Sequence, residues 1–196
     1  MARSAFVFDL DGTIWDSYAW YSAVLDPCDR VAQQRTISQL RQGASIITLA
    51  SARGISKGTL RNRCSQCVEL PPLYPHVLDT ISSLNKQQCR LGVVTSLSGE
   101  LAGVMLDRVG LTCFFGTIIH PGNCPARKPS AGPLLQALSE LGDIPGASAV
   151  YVGDTETDRR CAVRAGVPFV WAAYGYGGRP SGDYQEIRDI AEVLNL

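Results

Sequence analysis

From His76 onward the sequence alternates short apolar runs with helix-patterned stretches, and no other feature restricts the fold as much. The runs are "RLGVVTS" (90–96), "GTIIH" (116–120), "SAVYVGD" (148–154) and "PFVWAAY" (168–174). They are short and rich in β-branched and aromatic residues, so they read as strands. An earlier run, residues 5–8 at the head of "AFVFDLDGTIWDS", makes a further strand. Helices are predicted over 76–88, 99–109, 130–142, 155–166 and about 184–194. Parallel strands need a long crossover, usually a helix, rather than a tight hairpin. The pattern therefore predicts an α/β fold, a doubly wound parallel sheet.

One segment interrupts this regularity. Between Thr13 and Pro72 the chain reads as helices, over 17–25 and from an N-cap at Asp29 to a stop at Gly43, followed by short helices across 44–70. "ELPPLYPH" then places three prolines within five residues, which makes a hinge. The predicted organisation is a core formed by 1–15 and 73–196, with a small α-helical cap at 16–72 inserted after the first strand. A chain of 196 residues suits one packed domain with such an insertion.

Charge marks the same segment. Residues 30–68 carry seven basic side chains (Arg30, Arg35, Arg41, Arg53, Lys57, Arg61 and Arg63) and no Asp or Glu, while the whole chain has zero formal net charge. The remainder is therefore net acidic. If 53–63 is one helix, Arg53, Lys57 and Arg61 share a face at i, i+4 and i+8, with no nearby acid to pair with them. Such a face would suit a second anionic group on a substrate. Seven cysteines, an odd number set mostly in apolar stretches, suit reduced thiols better than a disulfide framework. The Cys64-x-x-Cys67 and His120-x-x-x-Cys124 pairs invite a zinc reading, but they lie in different regions and packing or surface thiols are the simpler account. The first strand begins almost at Met1, leaving no room for a signal peptide, and no run is long enough to span a membrane. A cytoplasmic location is expected.

The strand ends suggest the chemistry. In open parallel sheets ligands bind beyond the carboxyl ends of the strands. The first strand ends in Asp9 and Asp11, the second in Thr95 and Ser96, and the fourth in Gly153 and Asp154 with Asp158 beyond. Lys128 in "ARKPSAGP" lies just before a helix start. Four carboxylates with one lysine are unstable together without more positive charge. A hard divalent cation such as Mg²⁺ suits carboxylate oxygens and commonly shares its shell with a substrate phosphate. Gly12 and the turn at Thr13 are expected to leave backbone N–H groups free for an anion. The set predicts phosphoryl transfer, with metal and lysine neutralising the phosphoryl group and an aspartate attacking it.

"DLDGT" (9–13), Thr95 after an apolar run, Lys128 in "RKP" and "GDTETD" (153–158) together resemble the four motifs of the haloacid dehalogenase superfamily, in order and in strand context. The resemblance covers about 5–15 and 73–177. It implies that Asp9 is the nucleophile and forms an aspartyl-phosphate. Asp11 protonates the leaving oxygen and then activates water, which calls for a raised pKa. Thr95 and Lys128 hold the phosphoryl group, with the backbone amides of Leu10 and Ser96 as further donors. Asp9, the Asp11 carbonyl and Asp154 bind Mg²⁺, and Asp158 holds a metal water or Lys128. An acid at position 11 favours phosphate esters over carbon–halogen or carbon–phosphorus bonds.

Within the superfamily the chain resembles the phosphoglycolate-phosphatase-like and the small magnesium-dependent phosphatase-like branches. "ARGISKGTL" also resembles the mutase cap loop, with Lys57 at its phosphate-binding position. The expected activity is hydrolysis of a phosphate monoester of a small metabolite carrying a second anionic group, read by Arg53 and Lys57. The alternatives are a phosphosugar mutase, which the short cap disfavours, and a non-catalytic phosphate-sensing or partner-binding module, which the intact acid set disfavours. A nucleic-acid phosphatase is a variant of the first reading, prompted by the basic segment. No membrane partner is expected.

Overall fold

A computed structural model describes residues 4–42, 44, 46–67, 70–142, 144 and 146–196. The chain divides into two compact units, Met1–Trp15 with Leu73–Leu196, and Asp16–Pro72. The first unit holds six strands: β1 (Ala5–Phe8), β2 (Arg90–Val94), β3 (Thr117–Ile119), β4 (Ala149–Gly153), β5 (Phe169–Ala172) and β6 (Gln185–Ile187). They form one sheet in the order β3-β2-β1-β4-β5-β6, and every adjacent pair is parallel. The strand order reverses at β1, whose Ala5 sits opposite Arg90 of β2 and Ala149 of β4. This reversal is the topological switch point where open α/β sheets bind ligands.

Alternation along β1 explains the two faces. Ala5 and Val7 join a core cluster with Leu134 and Leu138 and with Cys161 and Ala162. Those partners come from α7 (Gly132–Glu140) and α8 (Glu156–Ala165). Phe8 meets Phe115 edge-on at 6.4 Å. Phe8, Leu10, Ile81, Leu106 and Leu134 are wholly buried, and each such side chain stabilises the fold by roughly 1.5–3 kcal/mol. The other helices of this unit are α5 (Val77–Lys86) and α6 (Gly99–Arg108).

The helix predicted at about 184–194 does not form. Residues 185–187 pair with β5 as the edge strand β6, and a 3₁₀ helix follows at Ile190–Asn195. The reason is a local start signal inside the segment. The Asp189 carboxylate accepts the Ala191 N–H at 2.8 Å, and Glu192 reaches back to the Asp189 N–H at 3.0 Å. This capping box starts the helical turn at residue 190.

Among the described residues the second unit holds four helices: α1 (Ser17–Leu25), α2 (Arg30–Arg41), α3 (Ile46–Ala52) and α4 (Lys57–Gln66). Asp16, Asp29 and Ser56 cap α1, α2 and α4 through side-chain oxygens. The stop predicted at Gly43 lies outside the described residues. The single helix through 53–63 is not present. The chain turns after Ala52, with Gly54 at φ +69°, and α4 begins at Lys57. Arg53 therefore shares no helix face with Lys57 and Arg61.

Arg53 also has an acid partner, contrary to the reading from its sequence neighbours. Its Nε and Nη2 donate to the two carboxylate oxygens of Asp26 at 2.8 and 2.9 Å. Nη2 also donates to Thr36 Oγ1 at 2.6 Å and Nη1 to the Leu49 carbonyl at 2.9 Å. This guanidinium ties α1, α2 and α3 together. Lys57 has no side-chain partner among the described residues.

Candidate active site

Strand pairing carries the first two motif residues out of the sheet with little freedom. The Asp9 N–H donates to the Val152 carbonyl and the Thr95 N–H to the Ile119 carbonyl, both at 2.9 Å. After Asp9 the chain folds around one carbonyl: the N–H groups of Thr13, Ile14 and Trp15 all donate to Leu10 O. Trp15 then bridges to Leu73, fixing the loop. The Trp15 indole N–H donates to Asp11 Oδ1 at 2.8 Å. Asp11 is half-buried while Asp9 is buried.

The loop corrects one expectation. The Gly12 and Thr13 N–H groups do not stand free for an anion, because they donate to Trp15 O and Leu10 O at 3.0 and 3.1 Å. A loop this tight spends its own amides on itself. The amides of Leu10 and Ser96 have no hydrogen-bond partner among the described residues. Thr95 Oγ1 accepts from the Leu97 N–H at 3.1 Å, which leaves its hydroxyl proton to donate elsewhere.

Lys128 joins the motifs. Its Nζ lies 2.7 Å from Asp9 Oδ1 and 2.7 Å from Asp158 Oδ1, and 3.3 Å from the Tyr151 hydroxyl. Burial would lower its pKa, but the Asp158 and Asp9 carboxylates outweigh this and raise it, so the ammonium stays charged. Asp158 is saturated. Oδ1 also accepts from Tyr151 Oη at 3.0 Å, and Oδ2 accepts from the Thr155 N–H and hydroxyl. Its part is to hold Lys128, with α8 anchored on the same carboxylate through the Thr155 capping box.

Asp9, Asp154 and Asp158 place carboxylate oxygens within 4.8 Å of one another, all three residues buried. Burial pushes Asp9 up to about 7, Lys128 pulls the other way, and the Asp158 and Asp11 charges add to the rise. Asp154 is raised well above the usual carboxylate range by burial and then by Asp158 and Asp9. Three buried carboxylates against one lysine leave about two negative charges unbalanced, which in a low-dielectric site calls for a cation or protons. Asp154 Oδ1 is buried without a hydrogen-bond partner. A hard divalent cation such as Mg²⁺ fits this donor set, to which Asp154 Oδ1 and Asp9 offer carboxylate oxygens. The cysteine and histidine pairs belong to no such cluster among the described residues, and no disulfide joins the seven cysteines.

Sequence reading missed the groups that hold Asp154 and Lys128. Asp154 Oδ2 accepts the Gly177 N–H at 2.8 Å, and the Trp171 indole donates to the Asp154 carbonyl at 3.0 Å. A Cβ on Gly175 would lie 2.5 Å from the Asp154 Cβ, and one on Gly177 would lie 2.1 Å from the Asp154 carbonyl oxygen. Backbone can approach Asp154 this closely only without side chains. The Tyr174 hydroxyl donates to the Thr13 carbonyl at 2.9 Å, linking this loop to the first one. The one available signal was the glycine density of "YGYGG" after β5. Tyr151 carried none, since it reads as an ordinary strand aromatic.

The parallel sheet brings buried carboxylates to its switch point with Lys128 between Asp9 and Asp158, and the chain belongs to the haloacid dehalogenase-like hydrolase family, whose model matches residues 6–172. Within that family it is a phosphatase, a phosphoric monoester hydrolase. It is 27% identical to the phosphoglycolate phosphatases of Shigella boydii and Salmonella choleraesuis, covering 96% of this chain and 91% of each relative. Those alignments span 236 positions against 196 residues here, so the relatives carry segments that this chain lacks.

Solved structures share the fold. A HAD-superfamily hydrolase of subfamily IA from Geobacter sulfurreducens superposes with TM-score 0.76 at 22% identity, over 98% of this chain and 95% of the other. CbbY from Rhodobacter sphaeroides in complex with xylulose-(1,5)-bisphosphate gives 0.71 at 19%, over 97% and 96%. YfnB from Bacillus subtilis bound to magnesium gives 0.76 at 21%, over 100% and 98%. No helix among the described residues is long and apolar enough to cross a membrane.

Proposed function

We propose that this enzyme is a Mg²⁺-dependent phosphatase that hydrolyses the phosphate monoester of a small metabolite through an aspartyl-phosphate on Asp9. The observation that carries this reading is the Lys128 clamp between Asp9 and Asp158 beside the unpartnered Asp154 Oδ1. An Asp9 oxygen attacks phosphorus while the bond from phosphorus to the alcohol oxygen breaks. Asp11 gives its proton to the departing alkoxide. Water then attacks the aspartyl-phosphate, loses a proton to Asp11, and releases phosphate with Asp9 regenerated. Lys128, the Thr95 hydroxyl and the amides of Leu10 and Ser96 hold the phosphoryl oxygens. Asp9, Asp154 and the Asp11 carbonyl would hold the cation, and when bound it supplies neutralising charge for the phosphoryl group.

The curated relatives are named phosphoglycolate phosphatases. Phosphoglycolate, a small monoester with a carboxylate, is therefore the first substrate to test, and it meets the expectation of a second anionic group. The free thiols suit a cytoplasmic setting. The test is release of inorganic phosphate from phosphoglycolate, phosphosugars, nucleotides and phosphopeptides with Mg²⁺. Turnover of a small phosphomonoester that is lost in Asp9→Asn supports the reading. No turnover on any member of the panel refutes it.

A further inference from the structure

A cavity of about 140 Å³ opens beside the proposed phosphoryl site, and its walls include Thr95, Ser96, His120, Arg127 and Lys128. Thr95 and Lys128 are shared with the phosphoryl site; His120 and Arg127 belong to neither the metal cluster nor the clamp. No carboxylate is among the described residues lining it. Lys128 is committed to the proposed phosphoryl site, where its Nζ lies between Asp9 and Asp158. The available cation is Arg127, which is exposed and whose guanidinium has no ion-pair or hydrogen-bond partner among the described residues. The Ser96 hydroxyl is likewise exposed and without a partner among them.

The His120 wall is built in place. The His120 N–H donates to Asn123 Oδ1 at 2.8 Å, and Asn123 Nδ2 donates to the Ile118 carbonyl at 2.9 Å. The Gly122 N–H donates to His120 Nδ1 at 3.0 Å. An imidazole that accepts at Nδ1 carries its proton at Nε2, so the ring is a donor there. Two glycines make room for the ring: a Cβ at Gly99 would come within 2.3 Å of it and one at Gly122 within 2.9 Å. The side-chain bonds hold the turn and the imidazole as a preformed wall.

A guanidinium, an imidazole and a hydroxyl line one small cavity with no acid among its described walls, a set complementary to a planar anion. We propose that this cavity is the subsite for the second anionic group of the substrate, a carboxylate, with Arg127 its ion-pair partner and His120 and Ser96 its neutral donors. The proposal rests on the phosphatase reading above. It moves recognition of the second anion from the Arg53 and Lys57 of the helical unit to the same unit that carries the catalytic residues. Arg53 is already committed to Asp26.

The test compares kcat/KM for phosphoglycolate with that for ethyl phosphate, which differs from it in lacking the carboxylate. The ratio should fall 10- to 100-fold in Arg127→Ala and to an intermediate value in Arg127→Lys, which keeps the charge and loses the fork. A ratio within threefold of wild type in Arg127→Ala overturns the proposal. So does a fall of that size in Lys57→Ala with Arg127→Ala unaffected, which places the anion on the helical unit. If the wild-type enzyme hydrolyses neither ester, the phosphatase reading has failed. The subsite is then judged alone, by calorimetric titration of 3-phosphonopropionate, a non-hydrolysable isostere with both anions. At least tenfold weaker binding to Arg127→Ala upholds it, and unchanged binding overturns it.

Discussion

Asp9 and Asp11 stand two residues apart and are held in different ways, so substitutions should separate them. Asp9 is buried against Lys128, and Asp9→Asn leaves an amide, which is a poor nucleophile. Turnover should vanish while the far-ultraviolet circular dichroism stays native. Activity within tenfold of wild type, a barrier change of only about 1.4 kcal/mol, would rule out the nucleophile assignment. Asp11 is half-buried and oriented by the Trp15 indole. Asp11→Asn should cost about 10²–10⁴-fold on ethyl phosphate, the usual worth of a general acid. The cost should be far smaller on p-nitrophenyl phosphate, whose leaving group departs without a proton. Equal losses on both esters would show that Asp11 is not the acid. Both aspartates were legible because a short motif at a strand end fixes residue type and direction together. Tyr151 was not, because its hydroxyl acquires meaning only when Lys128 and Asp158 arrive from 23 and 7 residues away.

Two elements are decided by contacts that no local pattern announces. The loop after β5 closes on Asp154, and Gly177→Ala would put a Cβ 2.1 Å from the Asp154 carbonyl oxygen. The loop must retreat, and Asp154 loses its N–H donor. Half-maximal activity should then need at least tenfold more Mg²⁺, whereas Gly178→Ala, with nothing within 4 Å of its Cβ, should behave as wild type. Indistinguishable Mg²⁺ titrations for the two variants would dissociate the loop from the metal. In the helical unit Arg53 and Asp26 form the organising pair. Burial pushes Asp26 up, but hydrogen bonds from Arg53 and Thr36 outweigh it, and its pKa lies below the ordinary 3.8. A depressed carboxylate contributes stability that is present above the unfolded-state pKa and lost as pH falls through the folded one. The stability of the wild-type protein should therefore decline below about pH 4, and part of that decline should disappear in Asp26→Asn. Arg53→Ala should lower stability at neutral pH by about 1.5–3 kcal/mol, the scale of a charged hydrogen-bonded pair. A smaller effect than about 0.5 kcal/mol in urea unfolding would mark the pair as solvent-screened.

For the molecule as a whole, a cation that binds the folded acid cluster and not the unfolded chain must stabilise it. Mg²⁺ at one hundred times its dissociation constant adds about 2.7 kcal/mol, visible as a rise in Tm. Asp154→Asn should abolish that rise, and chelator should silence the enzyme until Mg²⁺ is restored. Ca²⁺ should also raise Tm yet inhibit, since its larger and looser shell misplaces the phosphoryl group. Full activity in excess chelator would refute the metal site. The sequence by itself determined the parallel sheet, the four motif positions at its strand ends and the helical character of 16–72. Each of these is written in local spacing: apolar period, a cap residue, prolines at a hinge, carboxylates where a strand stops. Only the tertiary structure decided that residues 185–187 extend the sheet instead of a helix, that Arg53 belongs to Asp26, that glycines 175 and 177 cradle Asp154, and that His120 and Arg127 wall one cavity. These depend on which groups packing brings together across tens of residues. A charge without a neighbour in its own segment is not yet a charge without a partner, because the fold, rather than the spacing, chooses the partner.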